Sequence, residues 1–170
     1  MSNKSGKPYR VAVITVSDKG FKGEREDASG KLVGEIMEAN GYALASYAIL
    51  PDEQDMLENE LIRICDESLA DLILTTGGTG FSPRDRTPEA TMAVAHRMAP
   101  GIPEAMRMQS MGVTKRAMLS RAVAAIRWKT LIVNLPGSPK AVRENLEFIV
   151  AELAHGLDIL TGNAGECGGE

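Results

Sequence analysis

Residues 10–17 read Arg10-Val-Ala-Val-Ile-Thr-Val-Ser17, and the run ends at Asp18. A strand with one solvated face alternates apolar and polar residues. This one is apolar or β-branched at nearly every place, which predicts a strand buried on both faces, as in a parallel sheet covered by helices. Further along, Asp71-Leu-Ile-Leu-Thr-Thr76 has the same character, and Tyr42–Leu50 is another strand candidate. Helical patterns lie between these runs. Ala28–Asn40 puts Leu32, Val33, Ile36 and Met37 on one face and stops at Gly41. Asp52 reads as the N-cap of a helix running to about Leu69, with Leu57, Leu61, Ile64 and Cys65 as its stripe.

The pattern continues to the end of the chain. Thr87-Pro88-Glu89 reads as N-cap, first-turn proline and early acid, opening a helix that stops near Pro100-Gly101. A second helix from Pro103 carries Met106, Met108 and Met111, read as core or subunit interface. Ala122–Arg127 and Thr130–Asn134, separated by Trp128-Lys129, form a candidate hairpin. The last helix, after Leu135-Pro-Gly-Ser-Pro139, carries Val142, Leu146, Ile149, Val150, Leu153, Leu157 and Leu160. Strands alternating with helices give an α/β class with a mostly parallel sheet.

The length of 170 residues fits one domain. Hydrophobic residues at 44% and charged residues at 25% exclude a disordered or collagen-like chain. A net charge of −4 and the lack of any long basic run argue against nucleic acid as a partner. The cysteines Cys65 and Cys167 lie far apart, and neither they nor His96 and His155 make a zinc spacing. Cys65 falls on an apolar stripe, Cys167 in an exposed tail, and both histidines read as structural or surface residues. Without a disulfide framework, a signal core or an apolar run near ~20 residues, the expectation is a cytoplasmic protein, neither exported nor membrane-spanning. Residues 1–8 read as a loose arm, 9–161 as the folded body and 162–170 as a frayed Gly-rich tail.

Parallel sheets bind ligands at the carboxyl ends of their strands. Four polar segments fall at that edge: Thr15–Asp18, Leu50–Glu53, Thr75–Asp85 and Leu135–Ser138. Gly77-Gly78-Thr79-Gly80 permits positive φ and leaves amides bare, which suits a phosphate. It is neither a Walker loop nor a dinucleotide fingerprint. The plain alternative is a tight strand-to-helix turn, but the charges of Arg84-Asp85-Arg86 beside it favour an anion site. Asp85 can cap a turn, pair with a neighbouring arginine, or hold magnesium on a phosphate, since such sites need only one or two carboxylates. Asp52 can cap its helix while facing the edge, and Asp18 poses the same choice. Pro136-Gly137-Ser138 can turn the chain and cap the last helix, or touch ligand. Arg121 can pair with a carboxylate or a phosphate. These residues alone point to an α/β domain with a Mg²⁺–phosphate site.

The stretch Thr75-Thr-Gly-Gly-Thr-Gly-Phe-Ser-Pro-Arg-Asp-Arg-Thr-Pro-Glu-Ala90 closely resembles the signature of the molybdenum-cofactor biosynthesis family, which includes the gephyrin G domain. Thr15-Val-Ser-Asp18, Leu50-Pro-Asp-Glu53, Met118-Leu-Ser-Arg121 and Asn134-Leu-Pro-Gly-Ser-Pro139 resemble its other blocks, in order, so that the likeness spans residues 9–161. The resemblance implies a three-layer α/β/α sandwich with a small antiparallel hairpin. It implies members that are trimers, some hexamers, and a downstream metal-insertion protein as partner. It implies a nucleotidyltransferase that uses Mg²⁺ and ATP to adenylate the terminal phosphate of molybdopterin, releasing pyrophosphate. Asp52 and Asp85 fall on the family's catalytic and metal-binding carboxylates. Thr15, Ser17, Asp18, Pro51, Gly77, Gly78, Thr79, Gly80, Ser120, Pro136, Gly137 and Ser138 fall on its pterin- and nucleotide-binding edge. The competing reading is a non-catalytic molybdopterin-binding or scaffold protein of the same fold. Trp128 stands where the family usually has glycine, and the tail has no counterpart.

Overall fold

The expected β-branched runs become three adjacent strands, β1 (Arg10–Val16), β3 (Leu72–Thr76) and β6 (Thr130–Leu135), all paired in parallel. The computed structural model describes residues 6–163; most of the expected arm, most of the Gly-rich tail, and Cys167 lie outside the described residues. The remaining strands are β2 (Ala43–Leu50), β4 (Arg97–Met98) and β5 (Ala124–Arg127). The sheet runs β2-β1-β3-β6-β5-β4, parallel from β2 to β6 and antiparallel from there to β4.

Both faces of the central strands are dry. Val11, Val13, Leu72, Leu74, Leu131 and Val133 point to one layer. There they meet α2 (Ala28–Ala39) through Val33, Ile36 and Met37, α5 (Gly101–Met111) through Met106, and α6 (Pro139–Leu160) through Leu146, Leu153 and Leu157. Ala12, Ile14, Val16, Ile73 and Ile132 point the other way, to Leu57, Leu61, Ile64 and Cys65 of α3 (Gln54–Asp66) and Ala90 and Val94 of α4 (Thr87–Val94). This is the expected three-layer sandwich. Burying an apolar side chain of this size is worth about 1.5–3 kcal/mol, so the uninterrupted runs specify the sheet strongly.

Several local expectations are corrected. The helix opening at Pro88 ends at Val94, and Arg97–Met98 forms β4 instead, with His96 N–H bonded to Ile126 O and Ala99 N–H to Ala124 O. The free edge of β5 takes these bonds, and Pro100 disfavours helical backbone in the residue before it. The loop after β1 contains a single turn, α1 (Asp18–Phe21), capped by Ser17. Thr87 does not cap α4; its hydroxyl donates to Gly77 O at 3.0 Å. Of the Met-rich face, only Met106 is core, while Met108 and Met111 are exposed. The hairpin turn is Trp128-Lys129, and Trp128 takes φ +52°, a glycine-like conformation. Its indole N–H donates to Asp66 Oδ1 at 2.9 Å and its ring meets His96 edge-on at 4.5 Å.

Candidate functional site

The parallel register brings the carboxyl ends of β1, β2, β3 and β6 to one edge. A cavity of about 620 Å³ opens there, and Thr15, Ser17, Asp52, Gly77, Gly78, Asp85, Gly137 and Ser138 line it together. The glycines are required by space as well as by dihedral. Gly77 has φ +97°, and a Cβ on it would lie 2.3 Å from Val16 O. Gly78 has φ +65°, and its Cβ would lie 2.3 Å from Thr87 Oγ1. Ser138 caps α6, its Oγ accepting from Ala141 N–H at 3.3 Å, and Ser29 Oγ donates to Gly137 O at 2.8 Å.

The acids form a network. Asp52 does not cap α3, which follows Glu53 without a side-chain cap. Its carboxylate instead accepts the Asp18 amide at 2.8 Å, and Asp18 Oδ1 accepts the Asp52 amide at 3.0 Å. The N-terminus of α1 offers that donor, and α3 loses the competition for it. Burial pushes the Asp52 carboxyl above its ordinary value; the Asp18 amide opposes this, while the charges of Asp18 and Asp85 reinforce it. Arg84 holds the Asp18 carboxyl below the usual range, helped by the Asp52 amide. Arg84 is therefore committed, bonding Asp18 at 2.7 and 3.0 Å and Glu53 at 2.8 Å, and Arg86 Nε donates to Gln54 at 3.1 Å. The loop arginines expected to be free are drawn off by groups that the fold brings to the same edge, Arg84 by two acids and Arg86 by an amide.

Asp85 closes its own turn: Oδ2 accepts Ser82 N–H at 3.0 Å, and the Asp85 amide donates to Ser82 O at 2.9 Å. Arg121 pairs with Glu89 and with the carbonyls of Gly80 and Asp85. Among the described residues no group of three or more metal-binding side chains occurs. Asp52 and Asp85 nonetheless fit a hard cation that keeps water and substrate oxygens as its other ligands, since both carboxylates face one cavity and their like charges oppose each other.

The other expected residues fall elsewhere. Thr79, Gly80, Ser120 and Pro136 line a second cavity of about 300 Å³, with Met106, Arg107, Ser110, Leu119 and Asn145. Asp18 and Pro51 line neither; Asp18 acts on Asp52 through the bonds above, and Pro51 precedes Asp52 in the chain. Two groups escaped sequence reasoning. Asp27 caps α2 through Gly30 N–H at 2.9 Å, and it accepts the hydroxyls of Thr15 at 2.5 Å and Tyr47. Burial and then Asp27 push the Tyr47 phenol up to about 12, so it stays a donor. The signal for Asp27 was Asp27-Ala-Ser-Gly30 ahead of an apolar stripe. Asn145 accepts from Ser110 at 3.1 Å, and its signal was a lone amide on the apolar face of the last helix.

The family described as "Probable molybdopterin binding domain" matches residues 12–155. The molybdopterin adenylyltransferase of Helicobacter pylori strain J99 is 45% identical over 157 residues, 90% of this chain and 88% of the relative. That of Escherichia coli K12 is 40% identical over 141 residues, 81% and 72% respectively. Among solved structures, the molybdopterin biosynthesis enzyme MoaB of Thermus thermophilus superposes with a TM-score of 0.86 at 47% identity, covering 91% of this chain and 97% of that one.

Proposed function

Because the chain belongs to the molybdopterin-binding family of molybdenum-cofactor biosynthesis, we propose that it is itself a molybdopterin adenylyltransferase. It transfers AMP from ATP to the terminal phosphate of molybdopterin and releases pyrophosphate. An oxygen of that phosphate forms a bond to the α-phosphorus of ATP as the bond to pyrophosphate breaks.

One observation carries this reading: the two cavities share two loops. Gly77 and Gly78 line the polar cavity and Thr79 and Gly80 the other; Gly137 and Ser138 line the first and Pro136 the second. Joining two phosphates requires two substrate pockets that meet at unshielded amides. The polar cavity, with its carboxylates, suits the nucleotide. The other, with Met106 and Leu119 on its walls and Arg107, Ser110 and Asn145 as polar contacts, suits a flat heterocycle. Transfer of this kind needs positioning and charge neutralisation rather than a covalent catalyst. Asp52 and Asp85 are the residues that would hold Mg²⁺, which would offset the charge of the nucleotide phosphates. The bare amides of the Gly77–Gly80 loop orient the phosphates; Ser17, Thr15 and Ser138 supply hydroxyls on the same wall.

The reading extends to the assembly. Met108, Met111, Val113, Met118 and Leu119 are exposed on one continuous segment, which supports burial against other copies in a trimer. It places the protein in the cytoplasm beside its nucleotide supply, handing adenylated molybdopterin to a metal-insertion protein. Among the described residues no helix is long and apolar enough to cross a membrane. The test is pyrophosphate release by the purified protein with ATP, molybdopterin and Mg²⁺, and with each omitted in turn. Release that requires all three is expected; binding of molybdopterin without release would leave a scaffold protein.

A further inference from the structure

Arg121 lies outside the walls of both cavities, yet it has more specific partners than any other arginine at this edge. Its main-chain N–H donates to Thr79 O at 3.0 Å. Its Nε donates to Gly80 O at 2.7 Å, one terminal nitrogen to the Asp85 carbonyl, and the other to Glu89 Oε1 in the first turn of α4. The side chain therefore ties together the start of the Gly80–Asp85 loop, its end, and the helix that follows. The rest of the loop is anchored at one other place, by Arg84 to Asp18 and Glu53, while Phe81 is exposed and Ser82 bonds only within the turn.

Two details connect this clamp to the carboxylate of Asp85. A Cβ on Gly80 would lie 2.8 Å from Asp85 Oδ2, so the Gly80 backbone packs directly against that carboxylate. Holding the Gly80 and Asp85 carbonyls on one rigid guanidinium fixes the distance between them. Glu89 has its second oxygen buried without a partner, which carries a desolvation cost. The other oxygen is held on Arg121 and orients its guanidinium. Burial opposes the charged form of Glu89, but Arg121 and a main-chain N–H outweigh it and keep the carboxyl below its usual value.

We propose that Arg121, oriented by Glu89, is a positioning residue that sets the carboxylate of Asp85 against the shared cavity wall. This rests on the adenylyl-transfer reading for its kinetic consequence, but not for its structural one. Only a planar fork with several donors can serve three diverging oxygens; a lysine ammonium is a point charge on a flexible stem.

The experiment compares the full-length wild type with Arg121→Lys and Glu89→Gln by two readouts. The first is steady-state kinetics with ATP and molybdopterin. Arg121→Lys should lower kcat by about 10²-fold, the scale of a 1 Å misplacement, and leave KM for both substrates within about twofold. Glu89→Gln should move kcat the same way by about tenfold. The second is amide hydrogen exchange, read residue by residue without substrate. The amides of Ser82 and Asp85 should exchange faster in both variants, while those of Leu131 and Val133 stay unchanged. A raised KM at unchanged kcat would assign Arg121 to substrate instead, and unchanged loop exchange would overturn the clamp. If Arg121→Lys does not fold, Glu89→Gln decides by the same criteria. If the wild type releases no pyrophosphate, the activity reading fails while the exchange data still decide the clamp.

Discussion

Asp18 and Asp52 each donate a main-chain amide to the other's carboxylate, at 2.8 and 3.0 Å, joining the end of β1 to the end of β2 beside the polar cavity that Asp52 lines. The exchange holds Asp52 facing the cavity beside Asp85, and it leaves two like charges close together. Burial, opposed by the Asp18 amide and reinforced by the charges of Asp18 and Asp85, makes the Asp52 carboxyl ionise above its ordinary value of 3.8.

Activity should therefore fall on the acid side as pH drops through that raised value, since Asp52 must be ionised to hold a cation. Asp18→Asn removes one of the like charges and leaves the Asp18 amide in place. The acid limb of kcat/KM should then move to lower pH. The sign for stability is the opposite: a carboxyl whose folded-state value is raised favours the fold when protonated, and that contribution is lost as pH rises through the raised value. A pH–rate profile of the variant checks this, and a limb that stays in place or moves upward would count against it.

Asp52→Ala should weaken catalysis more than it weakens molybdopterin binding. Asp52 lines the cavity assigned to the nucleotide, whereas the heterocycle is assigned to the one lined by Arg107 and Asn145. Calorimetric titration with molybdopterin should show a near-normal affinity alongside a kcat reduced by about 10²-fold or more, the loss on removing one electrostatic stabiliser. A large loss of affinity at near-normal kcat would reverse the assignment.

Gly77→Ala places a methyl group 2.3 Å from Val16 O at φ +97°, and neither backbone can yield cheaply. It should cost about 1–3 kcal/mol or more in urea unfolding and disable the loop. Gly156→Ala, at an open and exposed helical position, should be neutral or stabilising by up to about 1 kcal/mol. Equal midpoints for the two variants would show that the loop backbone is not constrained as described.

The elements legible in the sequence are those whose burial pattern is decided locally. β1, β3 and β6 are mostly apolar and, apart from Arg10, buried along their whole length, and α6 keeps its stripe from Val142 to Leu157, so the type of each element could be read locally. β4 was not legible, because two residues carry no period and exist as a strand only through the open edge of β5. The edge residues were legible as a set, since parallel pairing sends every strand's carboxyl end the same way. Their partners were not. Whether Asp52 caps α3 or receives the Asp18 amide, and whether Arg84 is free or bound to Asp18 and Glu53, depends on residues more than 30 positions apart. The division of the edge into two cavities likewise follows from where α5 and α6 close over Ser120 and Pro136, which no local pattern encodes.

The central claim is that Asp85, facing Asp52 across a glycine-walled cavity, is required for adenylyl transfer and not for the fold. A single-turnover reaction with ATP labelled at the α-phosphate, molybdopterin and Mg²⁺, run on the wild type and on Asp85→Asn, tests it most directly. The expected result is labelled molybdopterin from the wild type and none from the variant, with the two proteins melting within a few degrees of each other. Equal yields of labelled molybdopterin from both would contradict it.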